Sequence, residues 1–301
     1  MWVGAAFLSA LLLGLYDVAK KRSLHGNAVI PVLLLNTLFS TILFLPVILD
    51  AEFALGWFDG TSFASTRGSV VDHALVACKA AITLSSWLCG YYAIKHLPLT
   101  IVGPVNATRP VVVLIGAMLL FGERLNLWQW GGVLLTIVSL YLLSRAGRME
   151  SINFSRNRHV WALFAAMLLG AVSGLYDKYI ISRHALDPLF VQSWFGVYQL
   201  VMMSIIALVV LPRTEHTPLR WVWTIPLISI FVSCADFFYY HAIDAPGSMI
   251  AVVSMIRRSS VVVTFLCGAL LFGEKNLRAK ALDLLLIIIG MALLAIGSVS
   301  S

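Results

Sequence analysis

Three arginines stand inside apolar runs where a charge is expensive: Arg109, Arg257 and Arg258. A charged side chain at the centre of a membrane span costs about 3 kcal/mol on insertion scales, so it needs a partner or a wet cavity. The guanidinium is a planar fork that fits phosphate and carboxylate oxygens. Arg257 and Arg258 lie between Met255-Ile256 and Val261-Val262-Val263. Neighbours on a helix point about 100° apart, so both cannot face lipid cheaply. Two readings stay open for this pair: buried ion pairing with Asp236 or Asp244, or an anion site that suits a doubly charged group better than a zwitterion. Three readings stay open for Arg109: ligand contact, structural pairing, or snorkelling of its head group to the membrane surface. It follows Asn106 and precedes Pro110, and Pro104 and Pro110 remove backbone donors and bend the segment. Freed carbonyls beside a buried arginine are what a binding cavity uses, which makes Asn106 a candidate as well. Lys79, also mid-span, either neutralises a carboxylate or lines the cavity.

Aromatic residues flank these charges. Trp87 with Tyr91-Tyr92 in one half faces Asp236-Phe237-Phe238-Tyr239-Tyr240 in the other. Such residues pack or anchor at interfaces, or they wall a cavity; Trp87, Tyr92 and Tyr240 are the candidates for the wall. Asp17, Asp177 and Asp236 are candidates for coupling or ion pairing. Asp17 precedes Lys20 and Lys21 at helical spacing, so an ion pair along one helix is its simplest role. Glu123 and Glu274 each stand just before a helix, where a carboxylate accepts from the free N–H groups of that following helix. No GxxxxGK[ST], HExxH or GxSxG run is present, and the histidines are scattered. Cys78, Cys89, Cys234 and Cys267 all lie in apolar runs with no CxxC spacing. No catalytic residue, metal or cofactor is therefore expected, and the chain does not read as an enzyme.

The elements that must hold these residues are membrane helices. Of 301 residues, 60% are hydrophobic and 12% charged, against about 25% charged in soluble domains. Mean hydropathy is +0.92. A span needs about 20 apolar residues, and such runs recur at roughly 2–19, 28–49, 71–94, 98–121, 126–144, 160–181, 187–211, 221–243, 247–272 and 277–297. The net charge of +7 fits loop lysines and arginines set by insertion topology. Nucleic acid is not an expected partner, because no basic stripe or aromatic platform exists. With ten spans both termini share a face; the opposite face holds 13 loop lysines and arginines against 4 on the termini face. The termini are thus expected outside the cytoplasm, in a multi-pass protein of the cell (inner) membrane. The expected partners are the lipid bilayer and a small-molecule substrate; the sequence leaves the oligomeric state open.

The chain repeats itself. Gly14-Leu15-Tyr16-Asp17 returns as Gly174-Leu175-Tyr176-Asp177, Ala93-Ile94 as Ala242-Ile243, and Leu119-Leu120-Phe121-Gly122-Glu123 as Leu270-Leu271-Phe272-Gly273-Glu274. Five spans per copy is an odd number, so the second copy inserts upside down, a plan recurrent in secondary transporters. The expected fold is all-α: a polytopic membrane protein of ten transmembrane helices arranged as two inverted five-helix repeats. Residues 1–146 form the first repeat, 147–158 a linker and 159–301 the second.

Five-helix halves that each end in Gly-Glu before the last helix resemble the EamA repeat of the drug/metabolite transporter superfamily. The resemblance spans essentially the whole chain and is strongest over Pro104–Gly131 and Ser254–Gly290. It implies ten helices, alternating access and a site between the halves. Arg257 and Arg258 lie 14 to 15 residues before Phe272, a placement similar to basic pairs that hold phosphate in the plastid phosphate translocators of the superfamily. The resulting expectation is a secondary transporter of a small organic anion, phosphorylated metabolites included. The alternatives are an exporter of amino acids or other small metabolites and drugs, or a flippase for a lipid-linked phosphate.

Overall fold

The structure, a computed structural model, describes residues 2–61, 63–113, 115, 126–148, 152, 154–182, 184, 186–210, 219–244, 256–274 and 277–299. Among them the regular structure is helical, and each expected span contains a helix. The helices are α1 (Trp2–Leu24), α2 (Val29–Phe53), α3 (Val70–His96), α4 (Leu99–Ala107), α5 (Leu127–Arg148), α6 (Arg158–Ser182), α7 (Pro188–Val210), α8 (Thr224–Asp244), α9 (Ser260–Leu271) and α10 (Leu277–Val299). Their outer faces carry bare aliphatics such as Leu270, 81% exposed, and Leu208, 77% exposed. In water that surface would be costly; in lipid it is the favourable one, and helices satisfy their own backbone groups there. The protein is a polytopic all-α membrane protein.

Two helices break at matched places. Thr108 N–H turns back to Val105 O at 3.2 Å, and Ser259 N–H to Ile256 O at 3.0 Å. Each hydroxyl reaches the same carbonyl, at 2.7 Å for Thr108 and 2.6 Å for Ser259. A hydroxyl that bonds its own backbone competes with the helical ladder and bends it. Helix resumes at 109–113 and at Ser260. Pro110, which has no N–H to give, fixes the first break.

The main packing partners lie in opposite halves of the sequence. They are α1 with α8, α2 with α7, α3 with α6, α4 with α9, and α5 with α10. Exchanging every helix for the one five places away returns the same set. The pairs run antiparallel. In α5 and α10, Asn126 Nδ2 donates to Gly297 O at 2.6 Å, and Ser139 Oγ to Asp283 O at 2.8 Å. In between, a Cβ on Gly132 would stand 2.7 Å from Gly290 O, so these backbones meet through small residues. In α4 and α9, Gly103 lies against Val261 and Thr264, and Gly268 against Leu99. The central core draws Tyr16, Leu33, Leu84, Tyr91, Ile101, Leu163, Met203 and Ile228 from seven helices.

Candidate functional site

Two polar clusters occupy this apolar interior. The deeper one is built on α1, where Asp17 faces Lys20 one turn on, with Lys20 Nζ 2.7 Å from Asp17 Oδ1. The same ammonium lies 4.2 Å from the Tyr16 ring centroid and 5.2 Å from that of Tyr91 on α3. A cation over an aromatic face is stabilised by the ring quadrupole, more so where water is excluded. Tyr91 Oη is buried with no hydrogen-bond partner. Arg109 and Arg258 flank the two helix breaks. Arg109 is the residue after Thr108, and Arg258 the residue before Ser259.

The Arg109 guanidinium lies against bare backbone. A Cβ on Gly170 of α6 would stand 2.5 Å from Arg109 Cζ and Nη2. Only glycine lets the fork in at that point. Gly14 has a related use, since its Cβ would stand 2.5 Å from Val263 Cβ and so part α1 from α9. Gly174, its sequence mate, would meet nothing within 4 Å.

The second cluster pairs Lys79 with Asp177 at 2.6 Å and Arg257 with Asp236, while the Arg257 guanidinium also covers the Tyr239 ring at 4.3 Å. Phe237, beside Asp236, stacks on Phe63 at 5.0 Å and 6°, which brings the loop between α2 and α3 over this cluster. Of the adjacent arginines, Arg257 is ion-paired with Asp236, and Arg258 makes no ion pair among the described residues. Arg109 likewise makes none, and its Nε is buried without a partner. Taken together, Lys20, Lys79, Arg109, Arg257 and Arg258 stand against Asp17, Asp177 and Asp236.

The remaining sequence candidates are placed as follows. Trp87 packs edge-on to Phe195 at 6.0 Å, and Lys79 covers that same ring at 5.2 Å, so Trp87 borders the second cluster. Asn106 is half-buried on α4, three residues before Arg109. Tyr92 is elsewhere: it sits at the end of α3, 5.0 Å from His96, 5.1 Å from His159 and 6.0 Å from Arg158. Its neighbour Tyr91 is the one that turns inward. The Tyr240 side chain lies outside the described residues, as do Glu123 and Ser254. Tyr16, Tyr91 and Tyr239 join the clusters although the sequence did not single them out. For two of them the available signal was spacing, since Tyr16 lies four residues before Lys20 and Tyr239 three after Asp236 on the same helix; Tyr91 lies twelve residues from Lys79 and carried no such signal.

The expected role of Glu274 needs correction. Among the described residues it makes no bond to the helix that follows it. Its carboxylate crosses to the other half and accepts the N–H groups of Leu99 at 2.7 Å and Thr100 at 2.9 Å, with the Thr100 hydroxyl at 2.6 Å. The reason is packing: α9 ends beside the start of α4, whose free N–H groups are the nearest ones.

Residues 1–145 match the EamA-like transporter family. That family is part of the drug/metabolite transporter superfamily. A solved structure whose title reads only "Crystal structure of protein" superposes on this EamA-like chain with a TM-score of 0.61 at 19% identity, over 97% of this chain and 94% of that one. At that identity the likeness concerns the fold alone. No curated protein matches the sequence.

Proposed function

We propose that this EamA-like membrane protein is a secondary active transporter that carries a small organic anion by alternating access between two inverted halves, residues 1–146 and 159–301. One observation carries the anion reading: Arg109 and Arg258 stand beside the two helix breaks, and neither makes an ion pair among the described residues. An unpaired interior charge is costly in a membrane protein and marks a substrate path. Two forks with a shared excess of positive charge suit a dianionic head group such as a phosphate monoester. Lys79 and Arg257, already answered by Asp177 and Asp236, shape the field around that site. Asp17 holds Lys20 so that its ammonium stays on the tyrosines. Tyr16, Tyr91 and Tyr239 wall the path, with Asn106 and Trp87 at its border. Asp17, Asp177 and Asp236 are the carboxylates that coupling could use.

The inverted reading is supported by direction. Helices α4 and α9, and α5 and α10, are sequence equivalents and run antiparallel, as an odd-numbered repeat requires. The membrane is proposed to be the cell (inner) membrane, with both termini outside the cytoplasm, on the strength of the loop charges.

Thermal-shift screening of the detergent-purified protein tests the anion reading. Phosphorylated metabolites should raise the melting temperature in Arg109- and Arg258-dependent fashion, since a ligand that binds only the folded state stabilises it by mass action. Stabilisation by zwitterionic amino acids alone, unchanged in Arg258→Gln, would overturn it.

A further inference from the structure

The loop between α2 and α3 has no part in the function proposed above, yet it is a folded body. Asp50, near the end of α2, accepts from the N–H groups of Trp57 at 2.7 Å and Phe58 at 3.2 Å. Phe58 O accepts from Thr61 N–H at 3.0 Å, and Thr61 O from Ala64 N–H at 3.2 Å. Arg67 ties the returning chain to the end of α2, donating from Nε to Ala51 O at 2.9 Å and from Nη2 to Glu52 O. Bonds within the loop and to α2 therefore hold its shape.

Three described contacts tie this loop to the second half. Ser65 Oγ and Thr66 N–H donate to Asp187 Oδ2 at 3.2 and 3.1 Å, while Asp187 Oδ1 caps α7 by accepting from Leu189 N–H at 3.0 Å. The Phe190 ring covers the Gly68 backbone, where a Cβ would stand 2.1 Å from Cζ. Phe63 stacks on Phe237 of α8, with Phe58 at 6.1 Å on one side and Phe238 at 5.7 Å from Phe237 on the other. Helix α8 continues from Phe237 to Asp244, about 10 Å at 1.5 Å per residue. Phe63 thus reaches down along α8 instead of lying across its end. It arrives beside Asp236, which holds Arg257.

We propose that this loop is a lid on the termini-face mouth of the interior, closed by seating Phe63 on Phe237 and Ser65 and Thr66 on Asp187, and opened as one body when those contacts part. This rests on the reading of the interior as a substrate path and not on the anion reading. A body that keeps its own hydrogen bonds loses only its outer contacts on opening. Segments held by few such contacts open at low free energy, and lids over binding sites are drawn from them. The lid touches no interior charge directly; it covers the approach to Asp236 and Arg257.

Accessibility to a membrane-impermeant thiol reagent tests the lid without any substrate. The protein lacks its four native cysteines, carries Tyr239→Cys beside Arg257, and sits in sealed vesicles with reagent on the termini side. Modification of this parent should be slow. Phe63→Ala removes the stack and should speed modification by about tenfold, equal to about 1.4 kcal/mol. Phe63→Tyr keeps a ring to stack and should leave the rate near that of the parent. Asp187→Asn retains one acceptor oxygen for Leu189 N–H and none for the loop, so α7 keeps its cap; modification should speed up by a similar factor. Reagent on the opposite side should gain nothing in either variant. Should Asp187→Asn lose its monodisperse elution peak, Phe63→Ala carries the test, since Phe63 is 41% exposed and its ring makes none of the bonds that shape the loop. Unchanged rates in folded variants overturn the proposal. So does a rate too slow to measure in every variant, which means no mouth beneath the loop, and so does an equal rise from both sides, which means a loosened fold. Faster modification of Phe63→Ala in a protein that binds no phosphorylated compound would leave the lid standing and remove the anion reading.

Discussion

Replacing Gly170 by alanine should cost anion binding while sparing the fold. The alanine Cβ would stand 2.5 Å from Arg109 Cζ and Nη2 and 2.9 Å from Nε. Carbon contacts settle at about 3.5–4.0 Å, so the guanidinium must retreat by about 1 Å. Overpacking costs about 1–3 kcal/mol when nothing can move. Here the clashing atoms are the far end of a long side chain, and alanine regains about 1 kcal/mol of helix propensity over glycine. Net stability should change by no more than about 2 kcal/mol. The anion site is less forgiving. A fork displaced by 1 Å no longer presents its donors at hydrogen-bonding distance, and each charged bond lost is worth about 1.5–3 kcal/mol. Affinity for a phosphorylated ligand should therefore fall at least tenfold. Gly174→Ala, four residues along the same helix, meets nothing within 4 Å; it should bind as the parent does and be equally or slightly more stable. The assay is paired thermal melting and ligand titration on all three proteins. If Gly170→Ala binds the ligand normally, Arg109 does not hold the anion. If both variants lose binding together, the effect belongs to the helix and not to the arginine.

The other expectations are more direct. Arg258→Gln should abolish anion-dependent stabilisation while leaving a folded protein, as judged by melting and elution. Asp236→Asn removes the carboxylate from a part-buried pair and should destabilise by about 1.5–3 kcal/mol, whereas Asp236→Asn with Arg257→Gln should recover most of that loss, because removing one partner of such a pair is worse than removing both. Gly132→Ala puts a Cβ 2.7 Å from Gly290 O; backbone cannot step aside as a side chain can, so melting should drop clearly. A reporter fluorescent only in the cytoplasm, fused after Ser301, should stay dark; a strong signal would reverse the assigned orientation.

How far the sequence could be read depended on whether a feature was local. Each expected span contains a helix because a bilayer imposes a length that apolar runs either meet or fail to meet. The break in α4 was legible from Pro104 and Pro110. The matching break in α9 was not, because it comes from the Ser259 hydroxyl and no proline or glycine marks it. The partner of Arg257 could be named only as one of two aspartates, since the choice depends on how α8 and the segment before α9 rotate against each other. Tyr91 and Tyr92 posed the same problem at closer range: adjacent residues differ by about 100° of facing, and only packing decides which turns inward. The cross-half grip of Glu274 on Leu99 and Thr100 was beyond reach, because it requires knowing that α9 ends where α4 begins.

The arginines break the symmetry that the helices obey. Thr108 and Ser259 are equivalent positions in the repeat, and both interrupt their helices in the same way. A strict repeat would place any two equivalent charges on opposite sides of the midplane, since inversion exchanges the faces. Arg109 and Arg258 are not equivalent: one follows its break and the other precedes it. Helix α4 starts at the face where Lys21 holds Leu97, and α9 ends at that same face, where Gly268 meets Leu99. Following the break in α4 and preceding it in α9 are therefore displacements in one direction, toward the face of the two termini. Lys79, Asp177, Arg257 and Asp236 gather in that direction as well. The Glu274 bonds to Leu99 and Thr100 lie at the opposite face. Positive charge is thus collected toward the termini face, where an anion arriving from that side would meet Arg109 and Arg258 first.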